Sequence, residues 1–432
     1  MIIHLDLDCF FVSAERTRIP ALRHKPVVVC KGGDTKIFST DDHFGIMTNA
    51  TGAFSGLFHH QETFCEFVKD NWKKEFMDEK GNIHGIVIAK SYEAKKFGIK
   101  TGTSLRDARI MCPDLLIIKS DHLFYQQLST ALKDYLHTKI PLLEQYSIDE
   151  FWGDLKGWVK DNETYAFMAS LQKEILERFD LPISIGASSS KWTAKLATDF
   201  NKPYGLTLIE KENIVQFVTP MLINTFPGIG KAMQKKLKSY GIETLGEVLQ
   251  SHRMIQGWGK IGKSLISRIN GTDNELVIHQ RDRKSLGISR NFLPTSNREE
   301  IKRRTIILAR HLSHTITKLS LHPTTYSLKL GYINNISTQS SHTIERTFSE
   351  TMYKNIILQT LIKIDTYPHL DIHHITLNLS NFITPAQHKT FSLFNVEEDE
   401  KAKRLSEKLT KLRDKYGIDI VRSGLEKQKN TP

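Results

Sequence analysis

Cysteine is scarce in this 432-residue chain. The four present, Cys9, Cys30, Cys65 and Cys112, lie far apart and form no C-x-x-C pair, which argues against a disulfide scaffold and a closed zinc site. A reducing, cytoplasmic setting is expected. No apolar run is long enough to cross a bilayer, and the opening MIIHLDLDCFF carries two carboxylates in its first apolar segment, so neither membrane spanning nor a secretory leader is expected. Solenoid repeats and low-complexity tracts are lacking too. Acidic residues are the minority charge: 60 Lys plus Arg against 48 Asp plus Glu leave +12. That balance favours a polyanionic partner, nucleic acid first. With 39% apolar and 25% charged residues the chain is too apolar to be disordered, and its length exceeds one compact core, so several domains are expected.

Hydrophobic periodicity divides the chain. Strand at Ile2–Leu5, helix from Cys9 to Arg16 and buried strand at Pro26–Cys30 read as a βαβ-like start. Residues 31 to about 84 lose the aliphatic pattern and read as an insertion, helical only from Glu62 to Met77. The pattern then returns as strands at Ile86–Ile88 and Leu115–Ile118, helices at Tyr92–Phe97 and Ser104–Met111, and a long helix from Asp121 to Ile140. Leu143–Trp152 predicts a hairpin around an acidic pair, followed by helix (Glu163–Phe179), strand (Ile183–Gly186) and helix (Trp192–Phe200). This order suits ferredoxin-like layering. From about Pro220 a small helical module contains two glycine-rich turns, and the basic stretch Arg281–Lys284 tethers it to a third unit. That unit reads strand (Ser285–Phe292), helix (Arg298–Leu319), strands (Thr325–Tyr332 and Ser341–Phe348), helix (Met352–Tyr367) and strand (Ile372–Asn381). Thr325, Ser327 and Lys329 alternate with Tyr326, Leu328 and Leu330, as Thr376, Asn378 and Ser380 do with Ile375, Leu377 and Leu379. One sheet face is therefore apolar; the other is a solvated face or one that lies along a phosphate backbone.

Asp6 ends the first strand and Asp149-Glu150 sit in the hairpin. If those strands are neighbours, three carboxylates converge on an oxygen-rich site for hard divalent cations such as Mg2+, and two such ions suit an in-line displacement of pyrophosphate. Carboxylates at strand ends also serve as turn residues and caps. The turns Pro227-Gly228-Ile229-Gly230-Lys231 and Gly257-Trp258-Gly259-Lys260-Ile261-Gly262-Lys263 each lead into a helix, aiming backbone N–H groups at a phosphate. Either alone is an ordinary helix–helix turn; the pair suggests hairpins that grip a nucleic-acid backbone.

Asp6-Leu7-Asp8-Cys9-Phe10-Phe11, the run Ser91 to Lys100, Ser147-Ile148-Asp149-Glu150, the run Ala194 to Pro203, Pro227 to Gly230 and Arg283 to Gly287 together resemble Y-family translesion DNA polymerases of the bacterial DNA polymerase IV type. The resemblance spans nearly the whole chain except residues 31–84. It implies an α+β multidomain right-hand polymerase: a ferredoxin-like palm (1–18 and 121–209), fingers (19–120, lengthened by the insertion), a small helical thumb with helix-hairpin-helix turns (210–275), a linker (276–283), an α/β little finger (284–425) and a tail (426–432). The implied function is low-fidelity, template-directed addition of deoxynucleotides to a primer 3′-OH, without proofreading, by a monomer that binds primer-template DNA and a dNTP with two Mg2+ ions.

Residue by residue, Asp6 and Asp149 resemble the ligands that bridge both metals, Glu150 a further catalytic-metal ligand, and the Leu7 carbonyl a main-chain ligand. Both Asp149 and Glu150 can reach metal only if the backbone bends there, because neighbouring strand residues face opposite ways. Phe11 matches the steric gate against a ribose 2′-OH, beside Cys9 and Phe10; Tyr92, Lys95 and Lys202 match positions that clasp the triphosphate. Gly228, Gly230, Lys231, Gly259, Gly262, Lys263, Lys284, Ser285 and Arg290 are the implied DNA contacts. Ala89 and Lys95 depart from the family's usual hydroxyl residue and arginine, removing one hydroxyl and one bidentate fork. Ser392-Leu393-Phe394 stand where relatives carry a sliding-clamp peptide, with Thr390 in place of glutamine. His59, His60, Glu62 and Cys65 match no standard zinc spacing. The rivals are a partner-dependent mutagenic polymerase subunit, a non-catalytic DNA-binding scaffold and a nucleotidyl cyclase; retention of all three carboxylates opposes the scaffold, and the paired hairpins oppose the cyclase.

Overall fold

The computed structural model describes residues 1–32, 36–38, 44–48, 55–59, 72–77, 81–280, 282–384 and 396–426. The chain forms two compact units, Met1–Lys31 with Phe67–Arg281, and Gly32–Glu66 with Asp282–Pro432.

In the first unit, the strand Ile2–Leu7 is the centre of a five-stranded sheet. It runs antiparallel to Glu150–Asp154 on one side and to Ile183–Ser188 on the other; Leu142–Gln145 and Leu206–Leu208 form the edges. Ile3, Leu5, Phe151, Ile183 and Ile185 are fully buried, which fixes the register, because a one-residue slip would turn these apolar side chains to the other face. The helix Lys191–Phe200 lies against this sheet at a separation only glycine permits. A Cβ on Gly186 would stand 2.2 Å from the Thr198 backbone nitrogen and 2.4 Å from the Ala194 carbonyl oxygen. Thr198 Oγ1 then donates to the His4 carbonyl at 3.1 Å.

The βαβ reading of the first thirty residues is corrected. Val27–Lys31 leaves the first sheet and centres a second one, between Ile86–Lys90 and Leu116–Lys119. Periodicity shows that a strand exists, not which sheet receives it. Of the helix expected over Glu62–Met77 the structure describes Trp72–Phe76; Trp72 and Phe76 pack with Val28, Val87 and Leu105. The helical module closes over Ile223, Ile229, Leu237, Leu245, Val248 and Ile266.

The second unit is a four-stranded antiparallel sheet, in the order Ser285–Thr295, Ile372–Phe382, Pro323–Tyr332, Ser337–Thr343. The helices Arg298–Lys318 and Glu350–Ile364 complete its core with Leu308, Leu312, Tyr353 and Ile357. The strand expected at Ser341–Phe348 is Ser337–Thr343 instead. Asn334 and Asn335 both take left-handed φ, 62° and 59°, and turn the chain in two residues, so the return strand begins earlier than its hydroxyl-rich sequence suggested. Ile37 and Phe38 join this core, and Arg303 donates to the Phe38 carbonyl at 3.1 Å and 3.2 Å. Residues 36–38 of the insertion therefore pack in the second unit rather than in the fingers.

Candidate active site

The register of the central strand assembles the carboxylates. Asp6 is the cross-strand partner of Glu150, and the Leu7 amide donates to the Asp149 carbonyl at 3.0 Å. Asp149 lies in the bend Ser147-Ile148-Asp149 just before the strand, and Ser147 Oγ accepts the Glu150 amide at 3.1 Å and donates to Asp149 Oδ1 at 2.5 Å. That bend is the departure from strand geometry which the adjacency of Asp149 and Glu150 demanded.

Burial raises the Asp6 carboxyl to about 7; Lys202 opposes the rise, while Asp149 and Glu150 add to it. Burial likewise raises Asp149, with Glu150 contributing and the Ser147 hydroxyl opposing. Two lysines answer this charge, Lys195 on the helix Lys191–Phe200 and Lys202 just beyond its end. Lys202 donates to Asp6 Oδ2 at 2.6 Å and pairs with Asp199 at 2.9 Å, and Lys195 is hydrogen-bonded to Glu150. Lys195 also stands 5.8 Å from the ring centres of Tyr146 and Trp152. Lys195 was missed in the sequence, where a helical lysine reads as a solvated one.

Among the described residues, no three His, Cys, Asp or Glu side chains form a ready cation cage. The donor set of Asp6, Asp149 and Glu150 nevertheless fits a hard divalent cation in kind, since it is all oxygen and the neighbouring carboxylates help raise the proton affinity of Asp6 and Asp149. A cation there would relieve the repulsion that the two lysines now offset.

The nucleotide-side residues divide. Phe11 is half-buried and stacks on Tyr125, with ring centres 4.4 Å apart and 15° between the planes. Tyr125 is held by its hydroxyl, which donates to buried Glu15 at 2.7 Å. The sequence marks Tyr125 only as one residue of a helical spacing and does not mark Glu15 at all. Phe10 is a correction: it is 3% exposed and packs against Tyr125, so its ring belongs to the core and only its backbone is left for a nucleotide. Cys9, at φ 49°, starts the helix, with its thiol pushed up to about 11 by burial. Tyr92 donates to Asp8 Oδ1 at 3.1 Å. Asp8 also accepts from Ser184 Oγ at 3.0 Å and from the Tyr204 amide at 2.7 Å, so it anchors Tyr92, a role its motif did not reveal. Lys95 Nζ lies 5.7 Å from the Tyr92 ring centre.

In the helical module, Gly228 and Gly259 take φ of 96° and 81°, so each turn needs glycine. Gly230 and Gly259 cap the helices Lys231–Lys238 and Lys260–Ile269, and Lys231 and Lys263 are exposed beside them. Gly262 lets that helix approach the Ile255 carbonyl, which an added Cβ would meet at 1.7 Å. Lys284 and Ser285 are exposed on the second unit. Arg290 is a further correction: it shares strand parity with buried Leu286, Ile288 and Phe292, so the outward face carries Gly287, Ser289 and Asn291 in its stead. The peptide Ser392-Leu393-Phe394, with His60, Glu62, Cys65 and the His59 side chain, lies outside the described residues.

Residues 5–53 and 65–199 match the impB/mucB/samB family, and residues 283–393 match that family's C-terminal domain. The chain is 28% identical to DNA polymerase IV of Clostridium kluyveri over 100% of its own length and 99% of the relative's. It is 32% identical to DNA polymerase IV of Alkaliphilus oremlandii, covering 79% of this chain and 89% of the relative. Its fold resembles that of a Y-family DNA polymerase chimera built on Dbh, with a TM-score of 0.71 at 20% identity, covering 88% of this chain and 99% of the other. With both the N-terminal region and the C-terminal domain matched, the chain belongs to the Y-family of translesion DNA polymerases, of the DNA polymerase IV type.

Proposed function

We propose that the DNA-directed DNA polymerase activity of this family is carried here by Asp6, Asp149 and Glu150, which hold two Mg2+ ions with the Leu7 carbonyl as a main-chain ligand. The observation that carries this reading is the cross-strand pairing of Asp6 with Glu150 beside the Asp149 bend. When bound, the ions supply activation of the primer 3′-OH and neutralisation of the departing pyrophosphate. The chain's own residues do the rest. Lys202 offers its ammonium to the triphosphate, Lys95 adds a second positive charge from the helix that carries Tyr92, and Phe11, braced by Tyr125, occupies the space a ribose 2′-OH would need.

DNA is gripped by the hairpins around Gly228–Lys231 and Gly259–Lys263 and by Lys284 and Ser285. The polar sheet face adds rungs of side chains, among them Lys329 aligned with Gln339 and Thr376, and Ser327 aligned with Ser341 and Asn378. Contacts of this kind go to phosphates and leave sequence unread. Synthesis is of low fidelity and without proofreading, by a monomer in the cytoplasm, and Ser392-Leu393-Phe394 is the segment that docks on a sliding clamp.

Single-nucleotide extension of a primed template by the purified chain, with Mg2+ and either dNTPs or rNTPs, beside Asp149→Asn, tests the reading. Extension with dNTPs that the variant lacks, at unchanged DNA affinity, is expected. Equal extension by Asp149→Asn would overturn the assignment of the carboxylates. Inactivity of the unaltered chain until partner subunits are added would favour the partner-dependent rival.

A further inference from the structure

Asp8, 3% exposed just past the end of the strand Ile2–Leu7, is fastened by its backbone on both sides. Its amide donates to the Pro182 carbonyl at 2.9 Å, and its carbonyl accepts the Ser13 hydroxyl at 2.6 Å. The carboxylate thus projects from a fixed post, and three donors converge on it. Oδ1 accepts the Tyr92 hydroxyl at 3.1 Å, Oδ2 accepts the Tyr204 amide at 2.7 Å, and the Ser184 hydroxyl lies 3.0 Å from both oxygens. Ser184 is fully buried, and its hydroxyl oxygen accepts the Gly205 amide at 3.3 Å.

These donors come from two places that bear on a nucleotide. Tyr92 opens the helix Tyr92–Lys95, and Tyr204 and Gly205 lie in the turn that follows Lys202. Tyr204 takes φ 54°, a left-handed backbone that an L side chain seldom adopts, and the bond from its amide to Asp8 holds the turn in that conformation. One carboxylate therefore fixes Tyr92 and the Lys202 turn relative to each other. The bond to Tyr92 has a second effect. A tyrosine hydroxyl carries a single proton. While that proton is donated to Asp8, the hydroxyl has only lone pairs to turn towards a phosphate oxygen. To donate to a phosphate it must let go of Asp8, and the buried carboxylate then loses one of its donors.

We propose that Asp8 is a positioning residue for the nucleotide triphosphate: it sets Tyr92 and the Lys202 turn in place, and it lowers nucleotide affinity by keeping the Tyr92 proton for itself. This inference rests on the reading that Tyr92 and Lys202 face the triphosphate. The two contributions have opposite sign, since placing the hydroxyl favours binding and holding its proton opposes it. Asp8→Asn separates them. The amide oxygen can still accept from the Tyr204 amide and the Ser184 hydroxyl, while the amide NH2 donates to the Tyr92 oxygen. The hydrogen bond is kept with its direction reversed, and the Tyr92 proton is free for a charged phosphate oxygen.

Single-turnover insertion by the full chain, with Mg2+, primed DNA and a range of dNTP concentrations, yields the apparent nucleotide Kd and the maximum rate separately. Asp8→Asn is expected to lower that Kd roughly 3- to 10-fold with a smaller change in the maximum rate, and Asp8→Ala, which holds neither element, to raise it by a similar factor. Because Asp8→Asn also removes a negative charge, it is repeated in a Tyr92→Phe background. The gain should vanish there, since no hydroxyl proton remains to be freed. A gain just as large without the Tyr92 hydroxyl would reduce Asp8 to a repelling charge and overturn the proposal, as would an unchanged Kd in Asp8→Asn. Hydrogen exchange at the Tyr204 amide reads the anchor independently of activity. It should be slow in the unaltered chain and in Asp8→Asn and faster in Asp8→Ala; fast exchange in either of the first two overturns the proposal as well. Inactivity of the unaltered chain would sink the polymerase reading itself, a result distinct from an active chain whose nucleotide affinity ignores Asp8.

Discussion

Tyr125 is the backing plate of Phe11: the two rings lie nearly parallel at 4.4 Å, and the Tyr125 hydroxyl is tied to Glu15. An aromatic ring can exclude a 2′-OH only if it cannot tip away. Tyr125→Ala is therefore expected to raise ribonucleotide insertion by ~10-fold, and Phe11→Ala by ~10–100-fold, read as the ratio of kcat/KM for dNTP and rNTP. Tyr125→Phe keeps the stack but strands the buried Glu15 carboxyl; it should keep sugar selectivity and lose ~1–3 kcal/mol of stability. Selectivity unchanged in Tyr125→Ala would show that Phe11 needs no support.

Asp6 makes the fold pay for its site. Its carboxyl is raised from 3.8 to about 7, first by burial. The folded state thus binds a proton that the unfolded state releases, so this stabilising contribution is complete below pH ~4 and is lost as pH rises to ~7. Asp6→Asn removes the titration. In protein freed of divalent ions, the variant should be more stable than the unaltered chain at pH 8 by on the order of a few kcal/mol, with the gap closing towards pH 4. Parallel stability curves across that range in urea melts would contradict the assignment.

Gly186 sets how closely the lysine-bearing helix approaches the central sheet. Since a Cβ would collide with backbone atoms of Thr198 and Ala194, which cannot swing aside, Gly186→Ala is expected to cost ~3 kcal/mol or more. Chemical denaturation gives the number. A cost below ~1 kcal/mol would mean that the helix can shift outward freely, and Lys195 and Lys202 would then not be fixed by this contact.

The two hairpins make a prediction about salt. If Lys231 and Lys263 each neutralise one phosphate, replacing both by alanine should weaken binding alike on unrelated DNA sequences. The slope of log K against log salt should become shallower by ~1.8, about 0.9 for each contact. Fluorescence anisotropy over a range of salt concentrations measures it; an unchanged slope would place these lysines away from DNA.

Much of this was legible in the chain itself. The strand Ile2–Leu7, the long helix from His122 to Lys139 and the hairpin around Asp149 follow from local pattern, because their buried residues recur at strand or helix period. What local pattern does not hold is partnership. Val27–Lys31 was visible as a strand, but its assignment to a second sheet depends on residues 55 to 89 positions away. The Asn334-Asn335 turn was overlooked because neither residue is glycine. Lys195 was invisible for a similar reason, since its role exists only once Glu150 is across from it. Arg290, by contrast, could have been corrected from sequence, by counting parity from Leu286.

The strand at the centre of the five-stranded sheet is synthesised long before its two neighbours, which come more than 140 residues later. During translation Ile2–Leu7 emerges with both hydrogen-bonding edges bare and must remain so until the strands Glu150–Asp154 and Ile183–Ser188 leave the ribosome. Such long-range pairing is slow and leaves an apolar segment open to wrong partners. The carboxylate cluster is thus a late product of folding, assembled only when the far half of the sheet returns to pair with Ile2–Leu7.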